Sequence, residues 1–211
     1  MEKRIKGKMP ITEKISQFIV DSSIEKMPRE AVKIAKQAIM DCVGCALLGA
    51  VQPIGKIIAE FVMEIAAKPV AGIIGQGRKN APALAALANG IMAHAEDYDD
   101  MSLILYGHPS PPLLPAILAL GEQSKASGKQ VIEAYITGFE AGASLGRALN
   151  PSHYTRGWHA TGTLGTMEAV TASAKLLKLN INQTRMALGI AASEVGGLRS
   201  TIICQFPCGR N

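Results

Sequence analysis

The chain has 211 residues, of which 48% are hydrophobic and 18% charged, the balance of a folded chain with a real core rather than a disordered one. Aromatic residues make up only 4%, and the dominance of Ala, Leu, Ile and Gly favours closely approaching helices over a β-sandwich. The formal charge of +5 owes much to Lys3, Arg4, Lys6 and Lys8, and no basic stripe interleaved with aromatics follows, so nucleic acid is not an expected partner.

Residues 1–14 are polar and lack the apolar core of a signal peptide. No window reaches the uninterrupted apolar length of a membrane span, with Asp41 breaking the best candidate. A cytoplasmic chain with no membrane partner is expected, and therefore reduced thiols at Cys42, Cys45, Cys204 and Cys208. Cys42-x-x-Cys45 has zinc-like spacing, but it lies in an apolar-periodic helix and reads as two buried small hydrophobes.

Thr12 is placed to cap a first helix over 12–22, and Pro28 to open a second. In that helix Val32, Ala35, Ile39, Cys42, Val43 and Ala46 form a buried stripe, ended by Gly49. A third helix over 53–66 repeats the pattern with Ile57, Ile58, Phe61, Val62 and Ile65. Pro69 stops it, and 70–75 reads as a brief extended segment before a turn. Asn80 then caps a helix over 81–96 whose inner side carries Leu84, Leu87, Ala88 and Met92. Pro111 and Pro112 open a helix to residue 124. Another over 131–149 carries Gly138, Gly142 and Gly146 at every fourth position, a ridge suited to close packing in a helical core. Helices over 161–179 and 183–197 complete an all-α, multi-helix domain, with no domain boundary before residue 199.

All four histidines, His94, His108, His153 and His159, fall in one third of the chain, together with Glu96, Asp97, Asp99 and Asp100. His94 through Asp100 lie at a predicted helix end, where side chains project into a cleft from a rigid support. The run 107–112 (Gly-His-Pro-Ser-Pro-Pro) holds His108 in a stiff turn before a helix. The run 156–162 (Arg-Gly-Trp-His-Ala-Thr-Gly) sets His159 beside the only Trp at a helix start, where free N–H groups welcome an anion. The competing reading is a solvated acidic face with satisfied structural histidines. A metal reading would take His94 and Asp97 with His108 or His159 as ligands, but the tighter spacing of zinc motifs is absent.

Three successive motifs, Asn89-Gly90-x-x-x-His94-x-x-Asp97-Tyr98-Asp99-Asp100, His108-Pro109-Ser110 and Gly157-Trp158-His159-x-Thr161-Gly162, are similar to signatures of the MmgE/PrpD family, which includes 2-methylcitrate dehydratase and cis-aconitate decarboxylase. The runs 188–193 (Leu-Gly-Ile-Ala-Ala-Ser) and 196–199 (Gly-Gly-Leu-Arg) extend the match to nearly the whole chain. The resemblance implies a helical domain followed, in full-length relatives, by a smaller α/β domain, with the active site between them and no metal or organic cofactor. It implies catalytic or substrate-contacting roles for Asp97, His108 and His159.

The chemistry expected on this basis is cofactor-free dehydration of 2-methylcitrate or a related di- or tricarboxylate. A base takes a proton next to a carboxylate and an acid protonates the departing hydroxyl. His159 and Asp97 are the expected proton-transfer pair, with base and acid unassigned, and His108 and Arg156 orient the anion; His94 and Thr161 complete the substrate-binding set. The position after Asp100, often Thr in decarboxylase members, is Met101, which weakens the decarboxylase reading. Cis-aconitate decarboxylation, epimerisation of an amino-dicarboxylate derivative, and a non-catalytic helical interaction domain or remnant are the alternatives. A homodimer is expected from the apolar fraction and the glycine ridge. After Arg199 helical periodicity stops, and the lysine-bearing run of the family is replaced by 200–211, a divergent tail that reads as a truncation or frameshift.

Overall fold

Proline placement sets most helix starts in this protein. A computed structural model describes residues 9–65 and 67–199. Pro10 and Pro28 immediately precede α1 (Ile11–Asp21) and α2 (Arg29–Val51), and prolines fill the first turns of α3 (Pro53–Glu64), α4 (Pro82–His94) and α5 (Ser110–Ser124). A missing N–H costs nothing in a first turn, and the fixed φ favours the helix. Two later helices use side-chain capping boxes: Ser127 with Gln130 for α6 (Gly128–Leu149), and Asn180 with Gln183 for α9 (Ile181–Glu194). Between them lie the short α7 (Ser152–Thr155) and α8 (Ala160–Leu176). The described strands are β1 (Ala71–Ile73) and β2 (Arg78–Asn80), an antiparallel hairpin with Gly72 opposite Lys79. The fold is all-α.

The centre of the domain is α8, which packs against α5, α6 and α9 and buries small and polar residues on several sides. The glycine ridge of α6 makes this possible. A Cβ at Gly138 would stand 2.8 Å from the Glu168 carbonyl oxygen, and one at Gly142 only 2.1 Å from Glu168 Oε1, so the two helices could not approach this closely with alanine on the ridge. The main core joins α2, α4, α5 and α6 through Cys42, Ala46, Met92, Leu113, Ile117 and Tyr135. Burial pushes the Cys42 and Cys45 thiols above their ordinary range, as expected of small buried hydrophobes.

Several local expectations fail for identifiable reasons. Thr12 lies inside α1, whose start is set by Pro10. Gly49 does not end α2, which runs on to Val51. Its role is close approach, since a Cβ there would sit 2.0 Å from the Met92 carbonyl oxygen of α4. Asn80 does not cap α4; its Nδ2 donates to the Val62 carbonyl at 2.5 Å and its Oδ1 accepts from Ala81 N. Helix α3 is apolar on both sides, and the core takes Gly55, Ile58, Ala59 and Val62 while Ile57, Phe61 and Ile65 stay exposed. Leu87 is likewise exposed.

The last helix stops at Glu194, and Leu198 instead bridges back to Trp158 in extended pairing. By length and mean composition α2 does qualify as apolar enough to cross a membrane, Asp41 notwithstanding. The tail 200–211, on which the reading of a truncation or frameshift rests, lies outside the described residues, as do Cys204 and Cys208.

Candidate active site

The last turn of α4, the loop after it and the start of α8 bring three of the four histidines to one cleft. His94 is the final residue of α4. The chain then turns back through Asp97, whose φ of 52° is left-handed, a conformation Asp tolerates better than most residues. The loop over 101–109 is tied down at several points. Leu105 is buried against Ala160 and Leu164, and its carbonyl accepts from Asn150 Nδ2 at 2.8 Å. Ser102 N donates to the Gly107 carbonyl at 2.9 Å.

Asp100 caps α5 from outside that helix, taking hydrogen bonds from Ser110 N at 3.1 Å and Ser110 Oγ at 2.7 Å, while Ser110 Oγ also meets Tyr135 OH at 2.6 Å. Asp100 thus serves the scaffold, and its burial raises its pKa. Finally His108 N donates to Thr161 Oγ1 at 3.0 Å. Gly107 permits this, since a Cβ there would lie 2.7 Å from the same oxygen.

The resulting cleft has a volume of about 480 Å³ and is walled by His94, Asp97, His108, His159 and Thr161, with Met101, Tyr106 and Tyr154 nearby. Five of the six residues expected from the sequence therefore converge. Arg156 sits exposed at the end of α7, outside that lining. Arg199, also outside that lining, meets one of its residues, its guanidinium 4.0 Å above the Tyr154 ring and donating to the Tyr154 carbonyl at 3.2 Å. His153 stands apart, stacked on Trp158 and bonded to Thr163 Oγ1 at 2.7 Å. A larger, mostly apolar groove of about 860 Å³ runs along α2 and α6 and is also lined by Asp100; no histidine lines it.

Asp99, one acid in a run of several, has a side chain with no exposure at all. Its Oδ1 lies 2.8 Å from His94 Nδ1 in a hydrogen bond, and its Oδ2 lies 2.9 Å from His108 Nδ1, at ion-pair distance but with the N–H off the line to the oxygen. Burial pushes the Asp99 carboxyl up, but the two imidazoles outweigh it and hold the group down at about 2. His108 is raised above its ordinary value, chiefly by Asp99 against the opposing effect of burial, with help from Asp97, whose Oδ1 is 3.4 Å from His108 Nε2. His159 is lowered, by burial first and then by the positive charge of His94 and His108. Two histidines of the one cleft are thus shifted in opposite directions by their surroundings. The donor atoms of His94, Asp97, Asp99 and His108 lie within 4.8 Å of one another, a grouping that could hold a cation.

The MmgE/PrpD N-terminal domain matches residues 13–204. The chain belongs to the MmgE/PrpD family. MmgE/PrpD relatives include a cis-aconitate decarboxylase-like protein of Aspergillus oryzae, 31% identical over 196 residues, which are 89% of this chain and 41% of that protein. The cis-aconitate decarboxylase of Aspergillus terreus is 32% identical over 200 residues, 92% of this chain and 41% of its own length. The human cis-aconitate decarboxylase is 28% identical over 192 residues, 88% of this chain and 40% of its own. This MmgE/PrpD chain therefore spans about two fifths of the length of the curated relatives it matches.

Proposed function

We propose that this MmgE/PrpD domain supplies the proton-transfer groups of a lyase acting on a tricarboxylate or its unsaturated derivative. The observation that carries the reading is the opposed bias of His108 and His159 across one cleft. A neutral His159 can accept a proton and a charged His108 can deliver one, without a cofactor in the proton-transfer steps. The N-terminus of α8 starts at Ala160 with no side-chain cap. Its free N–H groups and dipole offer a seat for one substrate carboxylate. Arg199, held against Tyr154, adds a positive charge nearby.

The names of the relatives make cis-aconitate the first substrate to try. In that reaction a carbon–carboxylate bond breaks, carbon dioxide leaves, and the electron pair left on carbon takes a proton, the step suited to His108. Dehydration of 2-methylcitrate or citrate is the second reading, favoured by Met101 at the cleft where decarboxylase members often carry Thr. There His159 takes the proton from carbon, the electron pair forms the double bond, and His108 protonates the hydroxyl as it leaves as water.

The test is to follow the histidine ring resonances of the purified protein while adding each acid, and to analyse products by proton NMR and released carbon dioxide. Shifts at His108 and His159 with decarboxylated product support the first reading, and dehydrated product the second. Rings unmoved by all three acids, with no product, would sink both.

The site also sits in a chain with an uncovered apolar corner. Leu47, Leu48 and Val51 end α2, Ile54 and Ile57 begin α3, and all five are exposed. Exposed apolar side chains clustered at one helix junction suit an isologous contact between two copies, so the protein is proposed to be a homodimer.

A further inference from the structure

Between the two histidines that flank the turn of the cleft lies a carboxylate with no solvent contact, and its geometry concerns the direction of protons rather than their supply. His94 ends α4 while His108 begins the approach to α5, and their rings come within 4.8 Å, tilted by 55°. Both present Nδ1 to the same Asp99, one to each oxygen, at 2.8 and 2.9 Å. Asp97, the other carboxylate here, is 61% exposed at its side chain and stands 3.9 Å from His94 Nδ1, too far for a hydrogen bond. Nothing else among the described contacts competes for either Nδ1.

We propose that Asp99 is the positioning residue of this site, its two oxygens fixing Nδ1–H on both His94 and His108 so that each ring leaves Nε2 for the cleft. The proposal deepens the lyase reading and rests on it for its catalytic consequence. A neutral imidazole carries one ring proton, and which nitrogen holds it is set by the partner of the other. A carboxylate only accepts, so His94 Nδ1 donates to Oδ1, and His108 Nδ1, 2.9 Å from Oδ2 though off the hydrogen-bond line, is favoured as the protonated nitrogen by the same negative charge. At His108 this leaves Nε2, 3.4 Å from Asp97 Oδ1, as the nitrogen whose proton is exchanged with substrate. At His94 it leaves an Nε2 acceptor at the wall of the same cleft. The Asp99 carboxylate touches no solvent and need not gain or lose a proton in the reaction.

The decisive substitution is Asp99→Asn, which keeps the shape but changes what the oxygens can do. An amide accepts on one side and donates on the other, so it can satisfy one Nδ1–H while forcing the second ring to turn its lone pair inward and carry its proton on Nε2. Nitrogen NMR of the histidine-labelled protein reads this directly, at alkaline pH where the rings are neutral, with Gln substitutions at His94 and His108 assigning the signals. The parent should show Nδ1–H on both rings, and the Asn variant should convert one of them to Nε2–H. In an assay with turnover, the same variant should lose about two or more decades in kcat with little change in KM, the consequence of a wrong tautomer rather than of lost binding. Asp99→Ala serves as the check on packing alone: if it loses structure while the Asn variant keeps its circular dichroism, folding does not explain the tautomer change. Nε2–H on either ring in the parent, or unchanged tautomers in a folded Asn variant, would overturn the assignment of Asp99. The expected tautomers together with a parent inactive on every acid would leave Asp99 in place and remove the lyase reading instead.

Discussion

Replacing Glu168 by Gln should change how the protein's stability depends on pH, because a neutral carboxyl is built into the core. Glu168 lies in the middle of α8 with no exposure. Neither of its oxygens has a hydrogen-bond partner among the described groups. Burial, with the Asp100 charge adding to it, pushes its pKa well above the ordinary value of 4.5. An acid raised on folding is ionised in the unfolded chain and protonated in the native one, so folding takes up a proton above pH 4.5. Its stability contribution is complete below that pH and is lost as pH rises toward the native pKa, at about 1.4 kcal/mol per pH unit. Glutamine has no such proton to bind. Urea unfolding at pH 5, 6 and 7 should therefore show Glu168→Gln gaining on the parent by about 1.4 kcal/mol per unit for as long as the native carboxyl stays neutral. A fixed offset from an unpartnered amide would shift both ends equally and leave the slope. Parallel stability profiles would refute a neutral Glu168.

Turnover, once measured, should follow a bell-shaped pH profile, with an acidic limb below 6.5 from His159 and an alkaline limb above 6.5 from His108; a His108→Gln variant retaining the alkaline limb would contradict the assignment. His159→Ala should lower kcat by about two or more decades with a smaller effect on KM, and steady-state kinetics with unchanged kcat would remove it from the mechanism. Gly138→Ala should cost about 1–3 kcal/mol by overpacking, because the added Cβ meets a backbone carbonyl of α8 that cannot swing aside; denaturant titration checks this. Ile57→Glu at the α2–α3 corner should convert a dimer to a monomer at tens of micromolar in sedimentation, whereas a monomeric parent would count against the proposed contact.

Helix existence was legible because prolines and apolar periodicity are local signals, whereas orientation was not. On α3 the apolar residues encircle the helix, so nothing in 53–66 distinguishes Ile58, which is buried, from Ile57, which is not. Gly49 illustrates the same limit: it looks like a terminator along the chain, and only the third dimension reveals the Met92 carbonyl against it. The site shows a similar division. His108 and His159 could be singled out because each sits in a stiff, motif-bearing turn. Asp99 could not, since in a run of acids the one that is fully buried carries no mark of it, and the left-handed turn at Asp97 that sends its neighbours to different places is a conformational fact. Arg156 carries its charge close to His159 along the chain, but the short α7 leaves it outside the cleft lining, and Arg199 comes to Tyr154 through a chain reversal that periodicity cannot anticipate.

The hydrogen bond from His108 N to Thr161 Oγ1, with no side chain on Gly107 to hold the two strands of chain apart, acts as a ruler. It joins the turn that carries one candidate proton donor to the helix start that follows the candidate acceptor, with a main-chain N–H on one side and the short, buried Thr161 side chain on the other. The turn at residue 108 and the start of α8 are therefore held together within this domain's own fold. A ligand entering here would meet a turn and a helix start already fastened to each other, so less of its binding energy would go into bringing these two segments together.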